Sequence, residues 1–186
     1  MLFEQQAVAD TLSGVNWRLI APNGAVLFDL KRDQDNGISG AYTLPVAGTY
    51  SISIGDDRDA GTGTYGFSLG SAPASQQFAI AIGTRVSNGA PTEGAGNIES
   101  PYGQDIYTFT ASAGQSIAIT LESVDALIAS SNAQLVAPDG RVIAGSSISF
   151  IGGIYHLPSA GTYSFVVSAR NNTGTYAFRL EDPPAP

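Results

Sequence analysis

The sequence predicts an all-β protein made of a duplicated β-sandwich unit, and two observations carry that prediction. Glycine stands at 22, proline at 10 and charged residues at only 13% of 186, a composition that favours short strands and many turns over helices. A phrase is also repeated. Residues 42–50 read Tyr-Thr-Leu-Pro-Val-Ala-Gly-Thr-Tyr and residues 155–163 read Tyr-His-Leu-Pro-Ser-Ala-Gly-Thr-Tyr, each followed by Thr-Gly-Thr-Tyr-x-Phe-x-Leu, at 62–69 and at 173–180.

Length and apolar content allow a buried core. The formal net charge is -8, and Lys31 is the sole lysine among eight basic residues. A nucleic-acid or anionic-membrane surface needs a basic footprint, so neither partner is expected. The absence of cysteine excludes a disulfide framework, a thiolate zinc site and a thiol nucleophile, and leaves the redox compartment open. No apolar run approaches the roughly 20 residues that span a bilayer, so membrane insertion is not expected. The opening Met-Leu-Phe-Glu-Gln-Gln has neither a basic n-region nor an apolar h-region, and it reads as a cut rather than a secretion signal.

Along the chain, residues 1–14 give two short pieces, around Leu2 and Phe3 and around residues 8–12. Val15, Trp17 and Leu19 alternate with Asn16 and Arg18, the period of a strand with one buried face; Ala-Pro-Asn-Gly turns it and residues 25–30 return as a hairpin. Residues 31–40 form a polar loop. The repeated phrase supplies a short strand at 42–45, a turn, and a strand at 49–54, with Tyr50, Ile52 and Ile54 on one face. After an acidic loop, Tyr65, Phe67 and Leu69 form the next inward row, and Gly-Ser-Ala-Pro-Ala-Ser at 70–75 marks the boundary.

The second half opens with a strand at 78–82 and a turn-rich stretch at 87–103. Strands at 105–111 and 117–121 follow, and then 133–136, Ala-Pro-Asp-Gly, 141–144, 154–157, 162–169 and 175–180 repeat the first half. Residues 181–186 are proline-rich, so no strand continues through them. The domain reading is a partial sandwich at 1–70, a linker at 71–76, a complete sandwich at 77–181 and a tail at 182–186.

The offset between the halves is informative. It is 116 at Pro22 and Pro138, 113 at Gly48 and Gly161, and 111 at Gly63 and Gly174. It shrinks only in loops, as a shared sandwich requires. By this offset Met1 answers to Ile117, so the first copy lacks its opening strands, the counterparts of about residues 76–116. Either the first copy is a partial sandwich leaning on the second, or its missing strands come from a preceding repeat or another chain, since an incomplete sandwich leaves an edge that invites strand addition.

Taken in order, Asp-Ile-Tyr-Thr-Phe-Thr-Ala at 105–111, Ala-Gly-Gln, the Ala-Pro-Asp-Gly hairpin, Leu-Pro-Ser-Ala-Gly-Thr-Tyr and Thr-Gly-Thr-Tyr-Ala-Phe resemble the bacterial pre-peptidase C-terminal (PPC) domain and its relatives in large repetitive surface proteins. The resemblance covers residues 76–181 as one copy and 2–70 as the later part of another. It implies a jelly-roll-like sandwich acting as a binding, spacing or processing module beside secreted peptidases or in surface arrays. It also implies calcium, held in some members by aspartates in Asp-x-Asp-x-Tyr. Here Asp105 takes the second aspartate position and Gly103 stands at the first.

Other calcium candidates come from the residues themselves. Asp33 and Asp35 lie in Asp-Gln-Asp-Asn-Gly, a flexible oxygen-rich turn, and Asp56, Asp57 and Asp59 form a second acidic loop. The first fails as an EF-hand, because its fifth position is Gly37 and its twelfth is Leu44; a solvated turn is the competing reading of both. Calcium is the one cofactor expected; otherwise none. His156 is the only histidine and answers to Thr43, a strand position, and no Gly-x-Ser-x-Gly elbow or His-Glu-x-x-His occurs. Tyr50, Tyr65, Tyr163, Tyr176 and Trp17 are expected in the core rather than on a sugar-binding platform, with Tyr50 and Tyr163 in tyrosine-corner-like turns. The functional expectation is a non-enzymatic extracellular or cell-surface module for adhesion, spacing or assembly, partnered by neighbouring repeats or like chains through strand edges, or by a surface polymer or glycan. The alternative is a carbohydrate- or substrate-targeting accessory domain of a secreted hydrolase.

Overall fold

The computed structural model describes residues 1–8, 15–31, 39–56 and 63–183. Among them every regular element is a strand except one 3-10 turn, Ile148–Phe150. The chain divides into two compact units, Met1–Ala72 and Pro73–Pro186.

The first unit pairs β1 (Leu2–Val8) with β4 (Gly40–Ala41) on one side and β6 (Tyr65–Gly70) on the other, giving a three-stranded sheet. A second three-stranded sheet has β2 (Val15–Ile20) at its centre, between β3 (Val26–Lys31) and β5 (Ser51–Asp56). Alternation does the building here. Val15, Trp17 and Leu19 are buried, whereas Arg18 points outward and is held by Asp29 across the hairpin. Phe3 from the other sheet closes the core, meeting Trp17 edge-on at 5.4 Å and Phe28 at 5.7 Å.

The second unit is larger. One sheet runs β13 (Val142–Ser147), β12 (Asn132–Val136), β15 (Gly161–Ser168), β10 (Gln104–Ala111), β7 (Gln76–Ala79). The other runs β14 (Gly153–His156), β11 (Ser116–Val124), β16 (Gly174–Glu181), β8 (Arg85–Val86), with β9 (Asn97–Ile98) also on β16. Rings meet between the sheets: Phe178 lies 5.1 Å from Tyr107 and 4.9 Å from Phe165. This is an all-β sandwich.

Register connects the two units. Phe3 faces Leu69 as Ile119 faces Leu180, and Trp17 faces Ile54 as Ala133 faces Val167. Even the bulges coincide, between Gln5 and Ala7 and between Leu121 and Ser123. The order β4-β1-β6 thus matches β14-β11-β16, and β3-β2-β5 matches β13-β12-β15; β7, β8, β9 and β10 have no counterpart among the described residues of the first unit.

The repeated phrase is a turn with a tyrosine lock. The Tyr50 hydroxyl donates to the Val46 carbonyl at 2.6 Å and accepts its N–H at 3.2 Å; Tyr163 does the same with Ser159 at 2.7 and 3.2 Å. Gly48 and Gly161 sit at φ +140° and +142°, where a Cβ would lie 2.7 and 2.8 Å from the rings of Pro22 and Pro138. Proline and glycine are therefore fixed as a pair. Gly161→Ala is expected to destabilise the second unit by about 1–3 kcal/mol through strain and overpacking, read as a lower urea midpoint; an unchanged midpoint would show that the turn relaxes freely.

Two expectations need correction. The strand expected at 42–45 is absent: pairing stops at Ala41, after which Tyr42 donates its N–H to the Met1 carbonyl and Pro45 has no N–H to give. The expected break inside residues 1–14 is also absent up to Val8, because a bulge lets β1 run through it; residues 9–14 lie outside the described part.

Candidate functional site

The inner face of β6 is where the first unit departs from the second. Tyr65, Phe67 and Leu69 are 52%, 36% and 52% exposed, while their register counterparts Tyr176, Phe178 and Leu180 are 1%, 1% and 0% exposed. Tyr65 was expected in the core, and the reason it is not is visible in the second unit. There Tyr107 of β10 meets Tyr176 and Phe178 edge-on at 6.4 and 5.1 Å, with Phe78 of β7 stacked on Tyr107 at 5.1 Å. The first unit has no strand at those places among the described residues. Fully covering one such side chain is worth about 1.5–3 kcal/mol.

Two backbone edges lie beside the bare row. Among the described residues β5 pairs with β2 alone and β6 with β1 alone, whereas β15 continues to β10 and β16 to β8 and β9. Open edges offer unpaired N–H and C=O groups to another strand. Behind the row sits Trp17, which meets Tyr65 and Phe67 edge-on at 5.6 and 5.7 Å. Its burial is as expected, yet its indole nitrogen is buried with no hydrogen-bond partner among the described residues.

Of the expected calcium residues, the structure describes only Asp56 and Asp105. Asp33, Asp35, Asp57 and Asp59 lie outside the described residues, and Asp56 ends β5. Asp105 is inside the second unit, fully buried. Its Oδ2 accepts from the Tyr176 hydroxyl at 2.5 Å and from Tyr107 at 3.4 Å, and the two hydroxyls lie 2.8 Å apart. The Tyr107 oxygen also accepts the Gly96 N–H. Burial lifts the Asp105 carboxyl to about 6, with Glu99 adding to the rise and the Tyr176 and Tyr107 hydroxyls working against it. Burial likewise raises Tyr107 and Tyr176. Among the described residues no three His, Asp or Glu side chains form a group able to hold a metal.

His156 is exposed on β14, its Nδ1 2.8 Å from Ser116 Oγ. The two residues face each other across β11 and β14, so this is a cross-strand pair; no carboxylate is bonded to the ring among the described residues. Sequence reasoning named Asp105 but missed its tyrosine partners. The signal was available, since Tyr107 and Tyr176 both fall in the inward rows.

No family model matches the chain, and no curated protein matches it. Solved structures similar to it include PliG from Aeromonas hydrophila, a periplasmic inhibitor of g-type lysozyme, at 13% identity and a TM-score of 0.44, covering 59% of this chain and 100% of that one. The pre-peptidase C-terminal domain of a Bacillus anthracis collagenase is similar at 15% identity and 0.45, covering 59% and 98%. PliG from Salmonella Typhimurium is similar at 20% and 0.41, covering 58% and 99%. The chain is an all-β sandwich protein, and a member of the family its motifs resemble stands among its structural neighbours. No helix of the described residues is long and apolar enough to cross a membrane.

Proposed function

We propose that the chain is a non-catalytic module of an exported protein, working outside the cytoplasm or at the cell surface in adhesion, spacing or assembly, and joining neighbouring repeats or like chains through strand edges. The observation that carries the reading is the first unit's bare row, Tyr65, Phe67 and Leu69, on a strand whose outer edge, like that of β5, is unpaired among the described residues. An apolar row exposed beside unpaired strands favours association over solubility. Residues 1–70 act in this reading as a partial repeat and 77–181 as a complete one. Calcium enters only as a ligand of the acidic loops, on the strength of the sequence.

A second reading has one observation in its favour: exposed Tyr65 and Phe67 could take a sugar ring, as in a glycan-targeting accessory domain. Light scattering with electron microscopy separates the two. Mass is expected to rise with concentration, and Leu69→Lys, a charge placed on the row, is expected to suppress the rise. A monomer at every concentration, retained on a polysaccharide through Tyr65, would overturn assembly in favour of glycan targeting. Hydrolysis of a peptide or glycan panel, lost in His156→Ala, would overturn the non-catalytic part.

A further inference from the structure

We propose that the open face of the first unit is a receptor for one stretch of chain with the chemistry and strand order of residues 76–111, supplied by a like repeat; this rests on the assembly reading above. The second unit shows the occupant's form. A strand equivalent to β10 joins the free edge of β15 antiparallel, a parallel strand equivalent to β7 follows outside it, and a short strand equivalent to β8 caps β16. The register of β1, β2, β3, β5 and β6 repeats that of β11, β12, β13, β15 and β16, so β5 and β6 offer the same edges at the same places.

The second unit of another copy is a poor donor. Its Phe78, Val86, Ile98, Tyr107 and Phe109 are already buried in their own core, and lending them would open it. Among its described residues a like chain has no free segment to lay over the row, so they can touch only the edges of β5 and β6.

Trp17 sets what the segment carries. Its contacts with Tyr65 and Phe67 reproduce those of Tyr107 with Tyr176 and Phe178, while its counterpart Ala133 makes none of them. The indole therefore holds part of the room that Tyr107 fills. The incoming strand needs a smaller residue there, and the buried indole N–H still lacks an acceptor among the described residues.

The test appends residues 74–116 ahead of Met1 in the full chain, in two versions, one as in the sequence and one with Tyr107→Ala in the appended copy. Hydrogen exchange of β5 and β6, dye binding to exposed apolar surface and light scattering are read on both against the unextended chain. At least one version, with the alanine version the better, is expected to slow exchange in β5 and β6 about tenfold or more, to lower dye binding and to remove concentration-dependent association. Unprotected β5 and β6 in both versions overturn the proposal. So does association through β5 and β6 that persists after the extension, which would make a second copy the occupant. Failure of the assembly reading shows separately, as an unextended chain that never associates.

Discussion

Replacing Phe178 by alanine is expected to remove about 3–5 kcal/mol from the second unit, and the matching Phe67→Ala only about 1–2 kcal/mol from the first. The two rings occupy the same register position, opposite Leu121 and Gln5. Phe178 is enclosed by Tyr107, Phe165 and Tyr176, so its loss leaves a cavity. Phe67 has Phe3 stacked at 5.6 Å and Trp17 on one side and water on the other, so less is lost and the site can collapse. Trp17 is the sole tryptophan, and its fluorescence follows the first unit in urea. Near-ultraviolet dichroism of buried Tyr107, Tyr163 and Tyr176 follows the second. Equal losses at the two positions would mean that the row is covered in solution.

Much of the fold was legible because sandwich strands write their period directly. The alternation of Val15, Trp17 and Leu19 told which face is inward, and the strand pairing of the two units keeps the offsets of 116, 113 and 111, bulges included. Exposure was not legible at Tyr65, because a period-2 row shows only which side of a sheet a residue takes. Whether that side is covered depends on strands far away in sequence. Short strands were missed for a related reason: Arg85–Val86 and Asn97–Ile98 are only two residues each and are held by β16 rather than by any pattern of their own. The Asp105 cluster was half legible. An aspartate in an alternating strand could be seen, but the hydroxyl that meets it comes from a residue 71 positions later.

That cluster gives the second large effect, a pH dependence of the second unit. Asp105 rises from 3.8 to about 6 on folding, so between about pH 4 and pH 6 the unfolded chain has released a proton that the folded chain still holds. With fewer protons bound in the unfolded state, stability falls as pH rises through that window, by up to about 3 kcal/mol from this group, and stays low above it. Glu122 has the opposite sign, since hydrogen bonding to Arg179 and then Arg85 holds it below the usual carboxylate range, so the raw profile mixes the two. Asp105→Asn isolates the effect. The amide cannot ionise, and any unpaired N–H₂ that it leaves where Oδ1 lacks a partner costs about 1–3 kcal/mol at every pH. The difference between native chain and variant in urea unfolding is therefore expected to shift toward the variant from pH 4 to pH 7 and to level off above about 6. Parallel curves across the range would mean that Asp105 ionises in the folded unit as readily as in water, and that its place between Tyr107 and Tyr176 does not hold the proton.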